Sequence, residues 1–329
     1  MPTTRAAQAI APASDGGTSI PPVVTLTMNP AIDVSAGVDY VIPDHKLRCG
    51  PPTYEPGGGG INVARVVKRL GGEATAVYPA GGPYGDMIHR SLDAVGLAQR
   101  VVPIAGMTRE SLTVDESSTG RQFRFVMPGP TLSAEELRRC LEAVAGLEPL
   151  PAFLVASGGY PPGAPAAELS DAIARLAVEI GAKLILDTSQ AMRYAPEHGA
   201  YLMKPSEREL SRMVDMPADT RAEQIAAARA LVKEGRAEII VVSLGAEGAL
   251  LVSKDLAEHF AAPSVPSLSA VGAGDAMVGA VVFALDRGWD IVEAVRYGVA
   301  AGAATIMTPG TELCHRADVD KLYEEMKGG

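Results

Sequence analysis

The sequence predicts a doubly wound α/β fold, a mostly parallel sheet flanked by helices, with a small β lid added to it. Three observations carry that expectation. Short, nearly continuous apolar runs recur along the chain, and each ends in small or polar residues. Segments of helical period lie between many of them. Two stretches, about 36–56 and 106–129, break the alternation. A strand covered on both faces reads as an unbroken apolar run, which a parallel sheet between two helix layers requires.

Taken in order, residues 23–27 form the first apolar run and lead into Met28-Asn29-Pro30. Residues 61–70 have a helical period that Gly71 stops. Residues 74–77 run into Pro79-Ala80-Gly81-Gly82, and residues 134–147 are helical. Residues 153–156 lead to Ser157-Gly158-Gly159, followed by a helix over 166–180. Residues 184–186 end in Asp187-Thr188-Ser189, and residues 221–234 are helical. Residues 239–242 lead to Ser243-Leu244-Gly245, and helices over 276–285 and 291–305 follow. Ligands of such sheets bind at the carboxyl ends of strands, where these polar residues fall.

The lid segments read differently. Residues 40–56 hold four prolines and no helical period. Residues 112–127 read as a hairpin turning at Ser117-Ser118-Thr119-Gly120, with polar and apolar residues alternating over 122–127. Strands of this kind are not stable alone. They are expected to build a lid on the main domain, and its exposed face suits a homodimer.

Composition sets limits. With 329 residues and 47% hydrophobic content, the chain can bury a sizeable core. A net charge of −10 argues against nucleic-acid or anionic-membrane partners acting through bulk charge. An anionic substrate therefore needs a local basic cluster. Residues 1–20 are rich in small residues and proline and are expected to form a disordered tail, which leaves 21–329 for the α/β domain. No apolar run approaches the roughly 20 residues of a membrane span. The three cysteines, Cys49, Cys140 and Cys314, have no CxxC or metal-like spacing and fit reduced thiols of a cytoplasmic protein.

The strongest chemical signal is Val271-Gly272-Ala273-Gly274-Asp275, directly before an apolar helix. Backbone N–H groups of Gly272, Ala273 and Gly274 at a helix start make an anion site. A carboxylate beside such a site would repel a bound anion. It makes sense where Asp275 accepts the proton of a hydroxyl attacking a phosphoryl group. With an ordinary pKa of about 3.9, Asp275 is expected to be ionised at neutral pH.

The second signal is Pro56-Gly57-Gly58-Gly59-Gly60-Ile61-Asn62. It is neither a Walker loop, since no Gly-Lys-Ser/Thr follows, nor a dinucleotide fingerprint. Glycines here let backbone approach a ligand, and Asn62 offers both a donor and an acceptor to a hydroxyl-rich molecule. Asp33, read at the end of the first strand, can bind neighbouring hydroxyls or serve a turn. Lys46 and Arg48, two apart in an extended lid segment, would share a face and with Arg109 form the basic cluster. Arg121 and Arg124 read as solvated charges. Ser206 and Glu209 form a capping-box pattern at a helix start after Lys204. Lys204 can reach nucleotide phosphates, and Glu209 can hold a Mg²⁺-bound water. Ser243, Gly245 and Gly248 lie in a loop of nucleotide-binding type.

Together the motifs resemble the ribokinase-like sugar kinases of the pfkB family, over nearly the whole chain from about residue 23 to 326. Two signatures carry the resemblance: Gly57 to Asn62 with Val63-Ala64-Arg65, and Val271 to Asp275. Within the family the likeness is to the branch that phosphorylates fructose 6-phosphate with ATP. It is carried by Lys46-Leu47-Arg48-Cys49, Arg124-Phe125-Val126-Met127-Pro128-Gly129 and Gly310-Thr311-Glu312-Leu313-Cys314. The resemblance implies Asp275 as base for the sugar C1 hydroxyl, with Gly272, Ala273 and Gly274 as the anion hole. It implies Asp33, Gly58, Gly59 and Asn62 on the sugar, and Lys46, Arg48 and Arg109 on its 6-phosphate. Lys204, Ser206, Ser243, Gly245 and Gly248 fall to the nucleotide and Glu209 to Mg²⁺, with a lid homodimer.

The chain departs from the family pattern in places. Ser206 replaces the asparagine of Asn-x-x-Glu, and Ala270 a threonine. Ser269 stands where many relatives place an acid tied to a monovalent cation, which weakens the expectation of K⁺. Ser157-Gly158-Gly159-Tyr160 replaces Ser-Gly-Ser-Leu. The competing expectations are another acceptor, fructose 1-phosphate or tagatose 6-phosphate, and a sugar-phosphate or nucleotide sensor without turnover.

Overall fold

The computed structural model describes residues 23–328 apart from 189, 191, 193–197 and 215. The tail expected over 1–20, and Ser189, lie outside the described residues. A nine-stranded sheet is built from β1 (Val23–Leu26), β4 (Ala74–Ala80), β5 (Ala98–Pro103), β8 (Phe153–Ser157), β9 (Lys183–Asp187), β10 (Ala200–Met203), β11 (Ala237–Ser243), β12 (Ala249–Ser253) and β13 (Ala257–Phe260). Its order is β13-β12-β11-β10-β9-β8-β1-β4-β5, and β12 alone runs against the others, pairing antiparallel with both β11 and β13.

The helices are α1 (Gly59–Arg69), α2 (Gly82–Ala94), α3 (Ala134–Ala145), α4 (Ala166–Glu179), α5 (Glu207–Met213), α6 (Arg221–Lys233), α7 (Ala273–Asp286), α8 (Ile291–Ile306) and α9 (Arg316–Gly328). Strand residues alternate between two helix layers. Val23, Val155, Ile185 and Ile239 join a core with α1, α7, α8 and α9. Val24, Leu154, Leu184 and Ile240 join the opposite core with α3, α4 and α6. Burial on both faces explains the continuous apolar runs.

Five of these strands were legible as such runs, and six helices by their period. The strand β10, four residues long, gave no run of its own. In α2 only Gly85, Ile88 and Leu92 are buried, too sparse a stripe to stand out. The helix α9, anchored by Val319, Leu322 and Tyr323, is similarly polar.

The second sheet is the lid, of order β3-β2-β6-β7. It comprises β2 (Ala31–Val38), β3 (Thr53–Gly57), β6 (Arg109–Glu116) and β7 (Arg121–Val126). The expected hairpin is β6 with β7, antiparallel. Asp33 therefore does not end the first strand. It is the third residue of β2, a lid strand that begins earlier than the prolines suggested.

The chain leaves β1 toward β4 on one side and returns to β8 on the other. At such a reversal the connecting loops diverge and open a crevice above the strand ends. Ile185 is fully buried in the middle of this arrangement. Ile185→Ala should cost about 2–5 kcal/mol. Urea titration is expected to show a lower midpoint at unchanged slope.

Candidate active site

The site grows from three neighbouring strand ends. Ser157, Asp187 and Lys204 stand at the ends of β8, β9 and β10, and Ser157 pairs with Asp187 in the sheet register. The Lys204 Nζ lies 3.1 Å from Asp187 Oδ1, and the Ser157 hydroxyl donates to Asp187 Oδ2 at 3.3 Å. Burial alone would lower the Lys204 ammonium. The charges of Asp187, Asp275 and Glu209 reverse that and raise it. Burial pushes the Asp187 carboxyl upward against the pull of Lys204.

Asp275 sits in the first turn of α7, whose N-cap Gly272 has φ 79°. A left-handed backbone there favours glycine. The exposed amides at this helix start, and its dipole, point the positive end toward the site. Asn62 Nδ2 donates to Asp275 Oδ2 at 2.8 Å across the crevice. Burial, then the charge of Asp187, raises the Asp275 carboxyl to about 7, while Asn62 and Lys204 pull it down and Asp33 adds to the rise. The expectation of an ordinary, fully ionised aspartate at neutral pH is therefore corrected.

The glycine run explains how Asn62 gets there. A Cβ on Gly59 would collide with the Ser157 side chain and lie 2.6 Å from the Gly158 nitrogen. The start of α1 is thus pressed against the end of β8, and only glycine fits.

The lid supplies the other wall. Register places Asp33, Ser111 and Val126 in one row of its inner face, with Arg109 and Arg124 in the flanking rows. Burial raises the Asp33 carboxyl to about 6, opposed by Arg109, Arg124 and Arg65 and reinforced by Glu55. Arg109 donates to Asn29 O at 3.2 Å and Met127 O at 3.2 Å, which fixes its guanidinium over the crevice.

Two cavities meet at the turn. One, of about 400 Å³, is lined by Asp33, Gly58, Gly59, Asn62, Arg109 and Arg124 on one side. Asp187, Lys204, Glu209, Gly272, Gly274 and Asp275 line its other side. The second, of about 560 Å³, is lined by Ser243, Gly245, Gly248, Ala270 and Ala273, with Gly274 shared between the two.

Three expected residues are not in either lining. Lys46 and Arg48 are exposed on the loop between β2 and β3, which is not a strand. Ser206 instead caps α5, where its hydroxyl and backbone nitrogen both bond Glu209 Oε2, at 2.7 and 2.8 Å. Arg124, read as a solvated charge, is exposed and also lines the polar cavity. Asp187 was missed because β10, and so the position of Lys204 beside it, was not seen in the sequence. Its signal was a lone carboxylate ending a buried apolar strand.

A family model for "pfkB family carbohydrate kinase" matches residues 22–318. The chain belongs to the pfkB family of carbohydrate kinases. This pfkB kinase is 48% identical over 304 residues to ATP-dependent 6-phosphofructokinase isozyme 2 of Mycobacterium tuberculosis, covering 92% of this chain and 89% of the relative. It is 41% identical over 307 residues to the isozyme 2 enzyme of Escherichia coli, covering 92% and 97%. Its structure superposes on Escherichia coli phosphofructokinase-2 solved with substrates and products, with a TM-score of 0.88, 38% identity and coverage of 93% and 99%. That protein has also been solved with potassium and as a tetrameric inhibited form. The fold is ribokinase-like.

The charges around Asp275 in this pfkB kinase make a direct expectation. A carbon-detected NMR titration of the free protein should show a carboxyl titrating near 7 and absent from Asp275→Asn. Asn62→Leu removes a donor to the charged form, so the midpoint should move to higher pH. A midpoint in the ordinary aspartate range would contradict the burial argument.

Proposed function

We propose that this kinase transfers the γ-phosphoryl group of ATP to the C1 hydroxyl of fructose 6-phosphate, giving fructose 1,6-bisphosphate. The observation that carries the reading is the junction at Gly274. There a polar cavity with a half-buried Asp275 carboxylate and two arginines meets a larger, more apolar groove. The polar cavity holds the sugar phosphate and the groove holds the nucleotide.

Asp33 and Asn62 take the sugar hydroxyls, and Arg109 and Arg124 take the 6-phosphate through charge-assisted hydrogen bonds. Asp275 accepts the C1 proton as the oxygen attacks phosphorus. A base whose pKa lies near the working pH suits this task better than an ordinary aspartate. The amides of Gly272, Ala273 and Gly274 and the Lys204 ammonium oppose charge on the transferred group. Lys204 already sits near the Gly274 backbone, with Nζ 3.5 Å from where a Cβ would stand. Ser243, Gly245 and Gly248 border the nucleotide groove.

Among the described residues no group of three or more His, Cys, Asp or Glu side chains is spaced to hold a metal by itself. Mg²⁺ fits this donor set, because it is commonly held by one or two carboxylates together with substrate phosphates. Glu209 would hold it through water, and bound Mg²⁺ would neutralise phosphate charge. Ser269 offers K⁺ no acid, only a neutral hydroxyl that already donates to Gly310 O at 2.6 Å.

Two copies are proposed to pair through the lid, where Tyr54 and Phe125 are half exposed. A cytoplasmic location fits the free cysteines and the lack, among the described residues, of any helix long and apolar enough to cross a membrane.

Coupled ADP-release assays with MgATP and fructose 6-phosphate, fructose 1-phosphate or tagatose 6-phosphate test the assignment. The highest kcat/KM is expected for fructose 6-phosphate, and absence of turnover with all three would favour a sensor. Asp275→Asn should keep fold and nucleotide binding while turnover falls at least about 10²-fold. Arg124→Ala should raise KM for fructose 6-phosphate roughly 10- to 100-fold, as loss of a hydrogen bond to a charged group does. Its kcat should change far less.

A further inference from the structure

Arg65 is buried and touches neither cavity, yet it is wired to the reacting group. It lies one helical turn after Asn62 on α1. Its Nη1 donates to Asn62 Oδ1 at 3.3 Å and to Pro56 O at 2.9 Å, and its Nη2 lies 3.4 Å from Glu55 Oε2 in the lid. Glu55 in turn accepts from Thr311 Oγ1 at 3.1 Å. Removing a guanidinium from water is costly, and these partners, with the charge of Asp33, offset it here.

We propose that Arg65 is a positioning residue that fixes the Asn62 amide so that its N–H group, not its oxygen, meets the Asp275 carboxylate. This rests on the reading of Asp275 as the base. Donor and acceptor count decides the orientation. A guanidinium only donates, and an ionised carboxylate only accepts. An amide held between them satisfies both in a single orientation, oxygen toward Arg65 and nitrogen toward Asp275. Without Arg65 the amide is free to turn over. The turned amide presents its oxygen to Asp275 and there accepts a bond from the protonated acid. Arg65 thereby works against the form of Asp275 that has no capacity to take a proton.

The other groups facing Asp275 are Asp187 and Lys204 from the ends of β9 and β10, and Asp33 from the lid. None of them bonds the Asn62 amide. Arg65 also acts on Asp33 through its charge. A direct charge effect on Asp275 therefore has to be separated from an effect through Asn62, and a double-mutant cycle does this.

The readout is the Asp275 carboxyl midpoint by NMR in the free protein, with the acid limb of kcat/KM as a second measure. Arg65→Gln replaces a pure donor with an amide that also accepts, and should raise the midpoint by about one pH unit. Arg65→Lys, still donor-only, should return most of that change. In an Asn62→Leu background, Arg65→Gln should add nothing. An unchanged midpoint in Arg65→Gln overturns the proposal. So does an equal shift in the Asn62→Leu background, since Arg65 would then act by charge alone. If Arg65→Gln fails to fold by thermal melt, Arg65→Met keeps the buried stem and removes the donors together with their charge, and the same outcomes, read in the same cycle with Asn62→Leu, apply. Failure of the base assignment would look different, with turnover surviving in Asp275→Asn whatever the midpoint does.

Discussion

One ammonium, Lys204, sits among more carboxylates than it can neutralise, and the chemistry of the site follows from that imbalance. Asp187 takes its closest contact, at 3.1 Å, while Asp275 and Glu209 also act on it. The lysine stays charged because its neighbours outweigh its burial. The carboxylates are left short of positive charge, and burial first, then the charge of Asp187, pushes Asp275 up to about 7. Negative surplus is an odd setting for a phosphoryl group unless something opposes it locally. The start of α7 does so with fixed amide dipoles that need no rearrangement. The result is a carboxylate more basic than an ordinary aspartate beside a turn of free amides, two properties that would defeat each other if both were made from mobile side chains.

The fold makes this convergence unavoidable. Neighbouring parallel strands end at the same level, so Ser157, Asp187 and Lys204 form a row without any special loop. The reversal of strand order at β1 opens the space above them. The glycine run then lets α1 press against β8 closely enough for Asn62 to reach α7.

Much of this was legible in the sequence because burial on both faces leaves a simple mark. Strands β1, β4, β8, β9 and β11 read as apolar runs, and α3, α4, α6 and α8 end within two residues of the periodic stretches. The Gly-Ala-Gly-Asp turn was legible because its residue types are hard to explain in any other way. The rest depended on neighbours that spacing does not show. Whether Arg124 faces solvent or substrate turns on the pairing of β7 with β6, which fixes its row on the lid. Lys46 and Arg48 were grouped with Arg109 on the assumption of an extended segment, but that stretch is loop and leaves them exposed. The pKa of Asp275 was misjudged for a related reason. It is raised first by burial and then by the charge of Asp187, a neighbour brought close only because β9 and the start of α7 meet in space.

The site divides by origin as well as by role. Asp33, Arg109 and Arg124 come from the lid, whereas Asp275, Lys204 and the anion turn come from the main sheet and its helices. In the proposed reading, recognition of the acceptor and transfer of the phosphoryl group thus fall to different sheets. A change of acceptor can be made in lid residues while the base and its dipoles stay in place, which is how one scaffold can serve several sugar phosphates. The two halves cannot be independent, however, because transfer must wait for the acceptor. The Glu55–Arg65–Asn62 connection runs from a lid strand to the base. A displacement of β3 would therefore be felt by the amide that holds Asp275, through bonds the chain already makes.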